Sequence, residues 1–246
     1  MPFDSSRVLS SLLIAAAVVV AAITLGGSWK KTHVSHQSVS VTGSGQKDFR
    51  SDLIVWKAVF SRQAATLSDA NRQLKHDIED VRKFLDGHGI AENEVSFSTV
   101  KVNREYATLY NSQGNVAGSE FRGFMLVQEI SVQSRQLERV EKMTAAIGDL
   151  IEKGIEFSAQ EPDYYYTRLQ DLKIELLKQA TADAVERART IADNAGSGIG
   201  SLRNAGMGVF QITGQNSNED YSWGGSFNTR AKDKTASITV KLEFEL

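Results

Sequence analysis

The chain has 246 residues, ordinary apolar and charged fractions and a formal net charge of −2 at pH 7, so it can bury a sizeable core and is no disordered tail. Without a basic excess it has no electrostatic hold on a phosphate backbone, which excludes nucleic acid as a partner class. It contains no cysteine, which excludes disulfides, thiolate zinc sites and cysteine nucleophiles together.

Arg7 is followed by an uncharged stretch, Val8 to Ser28, and then by Trp29, Lys30 and Lys31. At a rise of ~1.5 Å per residue that stretch reaches across a hydrocarbon core of ~30 Å. Leu12, Leu13, Ile14, Val18, Val19, Val20, Ile23 and Leu25 supply the apolar surface, with Trp29 at the interface. A cleaved signal has a shorter apolar core and a small-x-small site, and Leu25-Gly26-Gly27-Ser28 matches such a site poorly. Residues 1–30 are therefore expected to be an uncleaved anchor, with signal cleavage as the alternative, and residues 31–246 the body. The charge count alone would place the body inside, because Lys30 and Lys31 outnumber Arg7.

Ser38 to Thr42 alternates with period two and reads as a strand ending in a turn at Gly43-Ser44-Gly45. Ile54, Trp56, Ala58 and Phe60 form one face of a second strand. Leu67, Ala70, Leu74, Ile78, Val81 and Leu85 recur at steps of three and four, the stripe of a helix that stops at Gly87 and Gly89. A strand from Val95 to Glu105, a loop from Asn111 to Ser119 and a strand from Phe121 to Val132 read as a hairpin. A second helix carries Leu137, Val140, Met143, Ile147 and Ile151; short strands follow at Ile155–Phe157 and Tyr164–Thr167. The third helix, Leu169 to Ala195, has an i,i+4 row of Leu172, Leu176, Ala180, Ala184, Ala188 and Ala192. Such small side chains admit a close neighbour, either the helix's own sheet or another subunit. Strands at Gly206–Thr213 and Thr235–Phe244 close the chain around a polar loop, Gly214 to Asn228. The expected class is α+β, with antiparallel sheets packed by long helices and a β-β-α-β-β order that recurs after the connecting helix.

The run Val39-Ser40-Val41-Thr42-Gly43-Ser44-Gly45, the run Leu85-Asp86-Gly87-His88-Gly89-Ile90 and the strand opening Phe121-Arg122-Gly123-Phe124 together resemble the SIMPL domain family of bacterial envelope proteins. The helix Gln179 to Arg189 with Ile191-Ala192, then Ala195-Gly196 and Ile199 to Leu202, and the strand Ala236 to Leu246 extend the likeness over nearly all of Val39 to Leu246. The resemblance implies an extracytoplasmic location, an internally duplicated α+β fold, a tendency to oligomerise and a loose association with envelope stress. Joined to the anchor read from Val8 to Ser28, it gives a single-pass inner-membrane protein with its body outside the cytoplasm. It supplies no catalytic motif.

The residues point the same way. His33 and His36 lie beside Lys30 and Lys31, where positive charge opposes a bound cation, and His76 and His88 have no Asp and Ser arranged around them. No metal or cofactor is therefore expected. Tyr221, Trp223 and Phe227 sit in the polar Gly/Asn loop, where there is little core to fill; aromatic residues so placed are enriched at contacts, the alternative being that the loop folds over its own domain and buries them. With Ala180, Ala184 and Ala188 they are the candidate interface. The last strand has Ile238, Val240, Leu242 and Phe244 on one face and, if it lies at a sheet edge, would offer free backbone groups to a neighbouring copy. The expected function is a non-catalytic, membrane-anchored, homo-oligomeric binding or structural protein, whose partners are itself and the bilayer. A soluble periplasmic ligand carrier after cleavage and a carboxylate-based hydrolase are the alternatives.

Overall fold

A computed structural model describes residues 37–246 together with Val19 and Val20. The other expected anchor residues and both His33 and His36 lie outside the described residues. No described helix is long and apolar enough to cross a membrane.

The first strand, β1 (Ser38–Arg50), alternates buried and exposed residues through its first half. It does not turn at Gly43-Ser44-Gly45, as the sequence suggested, but runs straight through. The glycine serves a close approach instead. A Cβ on Gly45 would lie 2.4 Å from the Leu176 carbonyl oxygen and 3.1 Å from the Ala180 nitrogen. Both obstacles are helix backbone, which cannot move aside as a flexible side chain would. Gly45→Ala is therefore expected to lower stability by about 1–3 kcal/mol; an unchanged urea midpoint would show that the helix lifts away freely.

In β2 (Leu53–Ala64), Ile54, Trp56, Ala58 and Phe60 are all buried, as their period-two spacing predicts. Thr66 then caps α1 (Leu67–Gly87), its hydroxyl accepting the Asp69 N–H at 3.2 Å. Ala70, Leu74, Val81 and Leu85 of α1 pack with the β2 face into one core, joined by Leu126, Ile130 and Val132. Phe157 stacks on Trp56 and Phe60 at 6.0 and 6.1 Å.

The expected strand from Val95 to Glu105 is two strands, β3 (Val95–Phe97) and β4 (Lys101–Tyr110), and β4 returns through β5 (Val116–Ser134). The second predicted helix divides into α2 (Leu137–Ala145) and α3 (Gly148–Glu152). Its middle tightens to three-residue bonds, Ala146 N–H to Met143 oxygen at 3.1 Å and Ile147 N–H to Thr144 oxygen at 3.5 Å. Then come β6 (Glu156–Ala159), β7 (Asp163–Tyr165), α4 (Leu169–Asn194), β8 (Leu202–Met207), β9 (Gln211–Gly214) and β10 (Asp233–Glu245).

The order β-β-α-β-β-β thus occurs twice, with α2 and α3 between, one strand more in each half than the sequence suggested. The two halves trade strands. One sheet has the order β3-β5-β2-β6, with β4 on β5 and β7 on β2; the other has β1-β10-β8, with β9 on β10. The β10 face was read correctly, since Ile238, Val240, Leu242 and Phe244 are buried. The condition of a free edge is not met: β10 is flanked on both sides, so its backbone is unavailable to a second copy.

The chain forms two compact units. The larger comprises residues 43–183 and 207–240 and holds the core just described. The smaller includes the described residues 37–42, 184–206 and 241–246. Within it Val39, Val41, Leu242 and Phe244 are buried, and Gly200 N–H donates to the Glu245 carbonyl at 2.7 Å.

Candidate interaction surfaces

The loop between β9 and β10 is pinned at its ends and free at its tip. Ile212 N–H donates to the Ser226 carbonyl at 2.7 Å, and Asn228 N–H to the Ile212 carbonyl at 2.9 Å. The Gln211 side-chain amide donates to the Ser222 carbonyl at 2.7 Å. Glu219 accepts from the Asn228 side chain and, at 3.2 Å, from Gly214 N–H. These bonds fix the loop without covering its aromatics. Trp223 is 100% exposed, Tyr221 67% and Phe227 52%. The loop therefore does not fold back to bury Trp223. Tyr221 and Trp223 instead stand at one wall of a cleft of about 620 Å³ that also includes Val209 and Ile238.

The small-residue row behaves differently. Ala180, Ala184 and Ala188 have no exposed surface, so they pack inside their own chain and do not join Trp223 on a surface. Of the two readings of the row, the structure bears out intrachain packing, which the Gly45 approach to α4 requires.

A second surface escaped the sequence reading. Beyond Gly123, β4 and β5 leave the sheet as a two-stranded ribbon exposed on both faces. Gly123 marks the departure: its φ is +124°, and a Cβ there would lie 2.3 Å from the Ala64 carbonyl oxygen. The ribbon carries the exposed residues Tyr106, Leu109, Tyr110, Val116 and Phe121. Tyr106 pairs with Phe121, edge to face at 5.5 Å. Its tip is a tight turn in which the Asn111 carboxamide oxygen accepts from Gln113 and Asn115 N–H at 3.0 and 2.9 Å. The expected Asn111–Ser119 loop is thus shortened to this turn. An isolated hairpin is marginal in water, so a ribbon with apolar residues bare on both faces is suited to a partner.

The titratable groups most perturbed lie at β7 and β10. The Glu141 carboxylate accepts from the Tyr164 hydroxyl at 2.8 Å and from Lys232 Nζ at 2.9 and 3.0 Å. Burial pushes its pKa up, but the Lys232 and Tyr164 bonds and the Lys232 charge outweigh burial and hold it below the usual carboxylate range. Burial and the Glu141 bond push Tyr164 up to about 12. Glu141 is thus an anion already saturated with donors, chemistry suited to tying α2 to the strands and not to proton transfer. Among the described residues no three His, Asp or Glu side chains converge as a metal site. Tyr164, Tyr165 and Tyr166 are half-buried, with Tyr166 against Phe49 at 4.9 Å.

Residues 39–244 match the family described as SIMPL, a protein of unknown function (DUF541). No curated protein matches the chain.

Proposed function

The chain belongs to the SIMPL family, and from that premise we propose that it is a non-catalytic, bacterial inner-membrane protein with its body outside the cytoplasm, assembled into a homo-oligomer. The observation that carries this reading is the bare apolar surface of the larger unit: a fully exposed Trp223 and a ribbon lined by Tyr106, Tyr110, Val116 and Phe121. A buried aromatic side chain removes ~150–250 Å² from water, worth several kcal/mol at about 25 cal/mol per Å². A second copy covering these residues recovers that energy. The apolar stretch from Val8 to Ser28 supports anchoring, and helices held together in one bilayer raise the effective concentration of the bodies.

Full-length protein in mild detergent is expected to scatter light as a homo-oligomer. Trp223→Ser, or Tyr106→Ser with Phe121→Ser, should shift it to smaller species while the circular dichroism and melting temperature hold. A wild-type monomer at micromolar concentration would overturn the assembly. The cleft beside Trp223 favours a second reading, a periplasmic ligand carrier released by signal cleavage; a mature N-terminus beginning near Trp29 would select it.

A further inference from the structure

Far from the aromatic loop in sequence, three separated segments of the larger unit line one open cleft of about 790 Å³. Arg50, Ser51 and Asp52 come from the β1–β2 connection, His88 from the end of α1, and Arg135, Gln136, Leu137, Glu138, Arg139 and Lys142 from the β5–α2 junction and the first turns of α2. The cleft therefore holds four permanent cations against two carboxylates.

The carboxylates do little to cancel them. Both Asp52 oxygens are engaged by Thr167, through its N–H and its hydroxyl, each at 2.7 Å. Among the described residues Glu138 pairs only with Arg50, at 3.4 Å. Arg50 has a further carboxylate at 3.8 Å, Asp233. Arg139 spends one donor on the Gly89 carbonyl at 2.7 Å and has others left. Arg135 and Lys142 make no ion pair among the described residues, and both are exposed.

Two further features favour an anion at this place. The first residues of α2 stand in the cleft, and its N-cap Gln136 makes no side-chain capping bond. Arg139 N–H turns back to the Gln136 carbonyl at 3.1 Å, which leaves the Leu137 and Glu138 N–H groups for an outside acceptor. Independently, Ser51, on the cleft wall and only 5% exposed, has a buried hydroxyl with no hydrogen-bond partner among the described residues. A buried hydroxyl is seldom left so unless another group completes it.

We infer that this cleft binds a phosphate group, held by Arg135, Arg139 and Lys142 with the α2 N-terminus and completed by the Ser51 hydroxyl. Paired guanidinium forks and helix N–H groups match the several oxygens of a phosphate, and the excess of cations favours a dianion over a lone carboxylate. The cleft is roomy enough for phosphate borne on a larger molecule, either a soluble ester or a lipid headgroup. Neither the anchor nor the assembly is needed for this site.

The test is calorimetric titration of the full chain in a neutral detergent, at fixed ionic strength, with inorganic phosphate, with dihexanoyl phosphatidic acid, and with acetate as the control anion. Wild type is expected to bind phosphate saturably and acetate much less. Arg135→Ala with Lys142→Ala should weaken phosphate ~10- to 100-fold, the loss expected for charge-assisted bonds, without changing the melting temperature, because both side chains are exposed and outside any described ion pair. Ser51→Ala should weaken binding several-fold while leaving the apo protein as stable or more so. Tighter binding of the phosphatidic acid than of phosphate selects a lipid headgroup; equal or weaker binding selects a soluble phosphate. No binding of either, equal binding of acetate, or binding unchanged in the Arg135 and Lys142 variant overturns the inference.

Discussion

Replacing Asp77 with alanine is expected to lower the stability of the larger unit by about 3 kcal/mol, the low end of the range for breaking a buried ion pair. Asp77 lies on the apolar face of α1 and is 2% exposed. Its carboxylate takes two bonds from Arg62 of β2: Nη2 to Oδ1 at 2.7 Å and Nε to Oδ2. The Asp77 bond, ahead of the opposing effect of burial, raises the Arg62 pKa. Truncation leaves a partly buried guanidinium with no bidentate acceptor, and removes the polar tie between helix and sheet. The low end applies because the Arg62 side chain is a quarter exposed and water can reach it. Denaturant midpoints for Asp77→Ala, Arg62→Met and the pair measure the coupling. If the double variant loses as much as the two singles added together, the pair contributes nothing and the expectation fails.

Asp77 also shows where local pattern stops being informative. It stands three residues after Leu74 and four before Val81, inside the helical stripe. A carboxylate at such a place signals a buried partner, yet only the fold supplies Arg62. The elements themselves were readable because their apolar spacing is local: period two for Ile54 to Phe60 and for Ile238 to Phe244, steps of three and four for α1. Strand neighbours were not readable, since β10 becomes interior only when β1 and β8, distant in sequence, flank it. Gly43-Ser44-Gly45 misled because glycine serves both turns and close approaches, and only the position of α4 decides between them. Trp223 was legible as an aromatic without a core to enter. The ribbon was not, because exposure on both faces has no distinct period, and the cationic cleft draws on residues as far apart as Arg50 and Lys142.

Lys234→Met is expected to stabilise the protein at neutral pH by about 2 kcal/mol and to destabilise it slightly above pH ~10.5. Lys234 occupies a core position on β10 and is 2% exposed. Its Nζ donates to the Tyr164 carbonyl, and no carboxylate forms an ion pair with it among the described residues. Burial pulls its pKa down from 10.5 to about 8, against the weaker pull of the Asp163 and Glu219 charges. Between those two pH values the unfolded chain holds the lysine proton and the folded chain does not, so this group makes stability rise with pH across that window. Below about pH 8 the folded state carries the whole penalty, about 3 kcal/mol at ~1.4 kcal/mol per unit. Methionine removes the penalty but gives up the bond to Tyr164, worth about 1 kcal/mol, which leaves a net gain of about 2. Above pH ~10.5 the penalty is gone in the wild type too, and only the lost bond remains. The difference between the two proteins isolates Lys234 from groups such as Tyr164, which titrates higher. Urea midpoints at pH 7, 9 and 11 should therefore show the advantage of the variant shrink and change sign; an advantage that stays constant across the series would mean that Lys234 is hydrated in the native state.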